Sequence, residues 1–132
     1  MPSTNWDTRQ INEAARVAAP DGSEVRILCA VTAGSSALFT LSPGAVAKAV
    51  VHRTIDEIWY VVAGRGRLWR RRGDQEEISD LSPGASLTIP VGTEFQFRNV
   101  GAEPLDIFGV TMPPWPDDSE AAHAAGIWVP TL

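Results

Sequence analysis

One cysteine, two histidines and no apolar run near the roughly 20 residues of a membrane helix narrow what this chain can be. With Cys29 alone, no internal disulfide can form, and in RILCAV it reads as a small buried hydrophobe rather than a reactive thiol. Basic residues are the minority, 11 against 16 acidic ones, and the formal charge of −5 argues against general attraction to nucleic acid or anionic membranes. The opening MPSTNWDTRQ lacks the basic-then-apolar pattern of a signal peptide, so a cytoplasmic protein is expected. G-x-S-x-G, the P-loop, the dinucleotide fingerprint and CxxC are all missing, which leaves those chemistries without support. Helical periodicity is nearly absent as well.

What remains is a strand pattern. The 132 residues, 44% apolar and 20% charged, suit one soluble domain spanning 1–132. Short apolar or alternating segments are separated by Gly, Pro, Asp and Asn at the spacing of an all-β sandwich or barrel. Strands are expected at Glu24–Thr32, Ser36–Leu41, Ala45–His52, Glu57–Ala63, Gly66–Arg71, Ser86–Ile89, Glu94–Asn99 and Leu105–Met112. The chain then divides into an N-terminal arm, 1–23, a barrel, 24–112, and a Pro-rich tail, 113–132. In the tail, Asp118 or Ser119 is expected to begin a short helix that Gly126 ends, with His123 solvated on it and Trp115 and Trp128 pinning the tail to the barrel. The pentapeptide LSPGA occurs at Leu41–Ala45 and again at Leu81–Ala85. It suggests two similar halves, although so short a Pro-Gly match also arises by chance.

The segment AVVHRTIDEIWY, Ala49 to Tyr60, sets His52 and Glu57 among residues typical of a sheet interior. The pair reads as a metal site, as an acid/base pair or as polar packing. Beyond Glu57 the strand is apolar on both faces, Ile58, Tyr60 and Val62 alternating with Trp59 and Val61. The second face needs cover from the N-terminal arm or from another subunit, and a homodimer is expected.

Around this pair the sequence resembles the cupin superfamily, whose small barrels carry two glycine-opened motifs. Gly44 is followed by Val50, His52, Glu57 and Gly64 at the spacing of the first motif, with Val50 standing where its first histidine belongs. Gly84, Pro90, Gly92, Phe95 and Asn99 keep the spacing of the second, with Phe95 in place of its histidine. The resemblance implies a double-stranded β-helix of jelly-roll type and explains the repeated SPG. It also implies a divalent metal held by three histidines and a glutamate, of which this chain keeps His52 and Glu57. A first-row ion such as Fe, Mn, Ni or Zn normally takes three or more protein ligands. A metal-free barrel is therefore expected, with a pocket of Val50, Trp59, Phe95 and Phe97 that raises the pKa of Glu57 by disfavouring its charged form. His52 and Glu57 would then exchange a proton with a small polar organic ligand, in the manner of an isomerase or lyase. Two other readings stay open: a metal-dependent isomerase, epimerase or dioxygenase with His52 and Glu57 as ligands, and a non-catalytic sensor or interaction protein. Asp56 and Arg53 should face outward.

The run RGRLWRRR, Arg65–Arg72, reads as a hairpin whose arginines pair with Glu76 and Glu77. A sharper alternative turns Arg67 or Trp69 toward the barrel mouth, where Arg67 would hold a phosphate, a carboxylate or a sugar.

Overall fold

In a computed structural model, which describes residues 6–132, the chain folds into two facing antiparallel sheets. The first five residues of the N-terminal arm lie outside the described residues. One sheet runs in the order β1 (Arg16–Ala18), β2 (Glu24–Val31), β3 (Gly34–Leu41), β10 (Leu105–Met112), β5 (Asp56–Ala63), β8 (Ser86–Ile89). The other runs β11 (Ala121–His123), β4 (Val50–His52), β9 (Glu94–Asn99), β6 (Gly66–Arg72), β7 (Gln75–Leu81). From β3 to β6 and from β7 to β11 each strand passes to the other sheet, as in a jelly roll, while β1–β2–β3 and β6–β7 stay within one sheet. Among the described residues no helix is long and apolar enough to cross a membrane.

Side-chain alternation builds this architecture. In β10, Leu105, Ile107, Gly109 and Thr111 point inward, while the intervening residues are only half-buried. In β5, Glu57, Trp59 and Val61 point inward and Ile58, Tyr60 and Val62 do not. The inward sets meet as a core of Leu41, Trp59, Val61, Leu68, Leu81, Phe97, Leu105 and Ile107. Burying each such side chain contributes about 1.5–3 kcal/mol.

Both LSPGA copies form the same turn. Ala45 N–H donates to the Ser42 carbonyl and Ala85 N–H to the Ser82 carbonyl, each at 3.0 Å. Gly44 and Gly84 take φ values of 77° and 94°, which side chains disfavour, and Leu41 and Leu81 both enter the core.

Three local expectations change. The tail forms no helix: Asp117 caps a 3-10 turn at Asp118–Glu120, and Ala121–His123 continues as β11 against the edge of β4. So short a segment is marginal as a helix, whereas the open edge of β4 offers backbone partners at once. His123 is exposed on that strand rather than on a helix. Strand β7, absent from the expected set, closes the arginine hairpin through the pairs Arg70 with Glu77 and Arg71 with Glu76. Cys29 is half-buried, with Sγ 3.9 Å from the Asp7 carbonyl, because pairing between β2 and β3 is irregular from Ile27 to Ala30.

Gln96 fastens the tail. Its amide donates to the carbonyls of Ala47 and Trp128 and accepts from the N–H groups of Ile127 and Trp128, all within 3.0 Å. The Trp128 ring also lies under the Arg98 guanidinium, 5.5 Å from its centre.

Candidate active site

His52 ends β4 two residues after Val50, so both side chains share the inward face, and Val50 stands directly opposite Phe95 of β9. Glu57 lies in the other sheet, next to Thr111 of β10 and Ile89 of β8. The two sheets thus present His52 and Glu57 to each other across the barrel interior, with Nδ1 of His52 3.3 Å from Oε1 of Glu57. The second Glu57 oxygen accepts a short hydrogen bond from the Trp59 indole. Nδ1 of His52 is buried without a hydrogen-bond partner.

The pair lies on the wall of a cavity of about 270 Å³. Its walls are mainly apolar, with Val17, Val25, Ile27, Ala37, Phe39 and Trp59 among them. Gly109 lets Phe39 pack closely in this wall, since a Cβ there would clash with the Phe39 ring. The terminal segments add to its wall. The β1–β2 turn contributes Pro20 and Asp21, and the tail contributes Pro114, Trp115 and Asp118. Trp115 packs on the His52 ring with centroids 5.3 Å apart and an interplanar angle of 70°, and Phe95 packs edge-on to it at 5.2 Å.

Burial governs the electrostatics. Removal from water pushes the Glu57 carboxyl up to about 8, opposed by the Trp59 hydrogen bond and assisted by the nearby charge of Asp21. Desolvation likewise lowers the His52 pKa, an effect that the Glu120 carboxylate partly offsets. Burial thus favours the protonated form of Glu57 and the neutral form of His52. Asp21 is raised by burial too, although one of its oxygens accepts from both the N–H and the hydroxyl of Ser23. Glu120 is buried and holds the N–H and hydroxyl of Thr54.

Of the residues expected at the site, His52, Glu57, Val50, Trp59 and Phe95 all line the cavity. Phe97 does not: it is core, edge-on to Trp59 at 5.0 Å. Arg67 also stands apart, more than half exposed and 3.6 Å from Asp80 across the β6–β7 hairpin. The alternation of β6 sends Leu68 into the core and leaves Arg67 outside. Trp69 is buried but bonds Glu76 and lies outside the cavity. Asp56 and Arg53 are exposed, as alternation requires. Asp21, Trp115 and Glu120 were not anticipated at the site. Asp21 belongs to a Pro-Asp-Gly stretch that signals only a turn, and nothing local shows that this turn packs over the barrel mouth.

The Cupin domain family profile matches residues 37–111. The chain belongs to the cupin family. Similar solved structures include oxalate decarboxylase from Bacillus subtilis at pH 4.6, 21% identical with a TM-score of 0.69 over 80% of this chain and 29% of that one. The BH2720 protein of Bacillus halodurans is 23% identical, with a TM-score of 0.64 over 70% of this chain and 72% of its own. A PAC13 variant from Streptomyces, solved with uridine, is 14% identical with a TM-score of 0.72 over 92% of both chains. At these identities the likeness is one of fold. The chain spans less than a third of the oxalate decarboxylase. No curated protein matches the chain in sequence.

Oxalate decarboxylase from Bacillus subtilis has Mn(II) centres. The residues of this chain do not fit such an ion. Val50 and Phe95 face each other with apolar side chains at two of the four family ligand positions. One Glu57 oxygen already accepts from the Trp59 indole. Among the described residues, no three His, Cys, Asp or Glu side chains are grouped to hold an ion.

Proposed function

We propose that this cupin binds a small organic molecule in the barrel cavity without a metal, and that Glu57, assisted by His52, exchanges a proton with it. The observation that carries the reading is the approach of a buried carboxyl and a buried imidazole to 3.3 Å, both residues lining one cavity between the sheets. A carboxyl that titrates near neutrality serves equally as proton donor and acceptor. The largely apolar walls favour a ligand whose bulk is apolar and whose polar end reaches this pair.

The test is a thermal-shift screen of wild type and Glu57→Gln against small alcohols, ketones, carboxylic acids, amines and sugar phosphates, with hits followed by proton NMR in D2O. A hit should exchange a C–H proton for deuterium with wild type and lose that exchange with Glu57→Gln. Binding without exchange would remove the proton transfer and leave a binding protein.

We also propose a homodimer. The described part of the N-terminal arm joins the far edge of the sheet as β1 and does not reach the outer face of β5. Ile58, Tyr60 and Val62 are there 43%, 49% and 49% exposed, beside Phe108 and Val110 of β10. A nearly uncharged sheet face of this kind suits a second copy of itself.

A further inference from the structure

Among the described residues that line the cavity there is no lysine or arginine, whereas Asp21, Glu57 and Asp118 all contribute to its wall. The arginine expected to serve an anion, Arg67, is on the outside with Asp80. A phosphate or carboxylate entering this space would meet buried carboxyl groups and no cation. A second observation points to a ligand with several N–H donors. Asp21 and Glu57 are each more than nine-tenths buried and line the same cavity, and each keeps one carboxyl oxygen free of hydrogen bonds: Ser23 bonds only Oδ1 of Asp21, and Trp59 bonds only Oε2 of Glu57.

We propose that the cavity takes a small organic cation, an amine with a compact apolar body, whose ammonium N–H groups are received by the free carboxyl oxygens of Asp21 and Glu57. The inference rests on the reading of the cavity as a small-molecule site and names its ligand class. A primary ammonium offers three donors, and the cavity offers two such oxygens from two segments, the β1–β2 turn and β5. A cation placed there favours the charged form of both carboxyls and offsets the desolvation that otherwise keeps them neutral. The ring of Trp115 adds an aromatic face beside His52.

Three probes of like shape separate charge from shape: benzylamine, benzyl alcohol and benzoate, titrated into the protein near pH 7. Binding is read by calorimetry and by the indole resonances of Trp59 and Trp115. Benzylamine should bind about tenfold more tightly than benzyl alcohol, the ratio expected of a charge-assisted over a neutral hydrogen bond, and benzoate should not bind. In Asp21→Asn, which keeps an acceptor for Ser23, the amine and the alcohol should bind within about twofold of each other. The wild-type comparison stands by itself if that variant does not fold. Benzoate or benzyl alcohol binding as tightly as benzylamine would overturn the cation inference and leave the cavity reading intact. If no probe moves the Trp59 or Trp115 resonances, both fall.

Discussion

Nδ1 of His52 and Oε1 of Glu57 approach to 3.3 Å across the barrel, yet no aligned hydrogen bond joins them. Contact without a bond is costly for a buried polar atom such as this nitrogen, since an unsatisfied buried group costs about 1–3 kcal/mol. Oε1 of Glu57 retains capacity that a ligand in the cavity can use.

The first prediction concerns pH. Glu57 titrates near 4.5 in the unfolded chain and at about 8 in the fold, so between these values the native state holds a proton that the unfolded state lacks. Stability contributed by this group is therefore full below pH 4.5 and is lost as pH rises toward 8, by up to about 1.4 kcal/mol per pH unit. Glu57→Gln, permanently neutral, should remove that slope. Urea unfolding of both proteins at several pH values measures the difference, and carbon-detected NMR of the carboxyl should place its midpoint near 8. Parallel pH profiles for the two proteins would count against a buried neutral Glu57.

The second prediction concerns metal. After incubation with Mn(II), Fe(II), Ni(II) or Zn(II) and dialysis, wild type should retain well under one equivalent. Restoring the family ligands with Val50→His and Phe95→His should produce a protein that keeps about one, because these positions face each other beside His52 and across from Glu57. Elemental analysis decides. A stoichiometric ion in wild type that His52→Ala removes would sink the metal-free reading.

Much of the barrel was legible because strands such as β5 and β10 alternate strictly and its turns carry Pro-Gly signals. Val50, His52, Glu57 and Phe95 keep fixed spacings from Gly44 and Gly84, so the polar pair and its altered neighbours could be found before any coordinates. The terminal segments' part in the cavity wall was not legible. Asp21 and Trp115, which line the cavity, and Glu120, whose carboxylate acts on His52, belong to the arm and the tail, and only long-range packing places them: Lys48 N–H bonds the Asp21 carbonyl, Thr54 bonds Glu120, and Trp115 N–H bonds Ser35. Alanine-rich EAAHAAG reads locally as a helix until the edge of β4 claims it. Likewise, local pattern left the side of β6 that carries Arg67 open between the barrel mouth and solvent, and the buried position of Leu68 decides it.

Trp115 gives a third prediction. It covers His52 from the tail, and desolvation is the main cause of the lowered His52 pKa. Trp115→Ala should admit water, raise the His52 midpoint toward the ordinary 6.5, and cost about 1–3 kcal/mol of stability from lost packing. The ring-proton shifts of His52, followed with pH, report the first effect. An unmoved midpoint would mean that other groups exclude water from the imidazole.

The last prediction tests the second subunit. If the outer face of β5 pairs two copies, light scattering should give about twice the 14.2 kDa chain mass, and thermal stability should rise with protein concentration. Tyr60→Arg places a charge at the centre of that face, opposite Phe108 of β10. In an isolated chain the change is nearly neutral, because Tyr60 is already half exposed and surface substitutions usually stay within about 0.5 kcal/mol. In a dimer, two arginines would be buried against each other without partners, and the mass should fall to that of one chain. A wild-type monomer at tens of micromolar, or a dimer indifferent to Tyr60→Arg, would show that this face is not the interface.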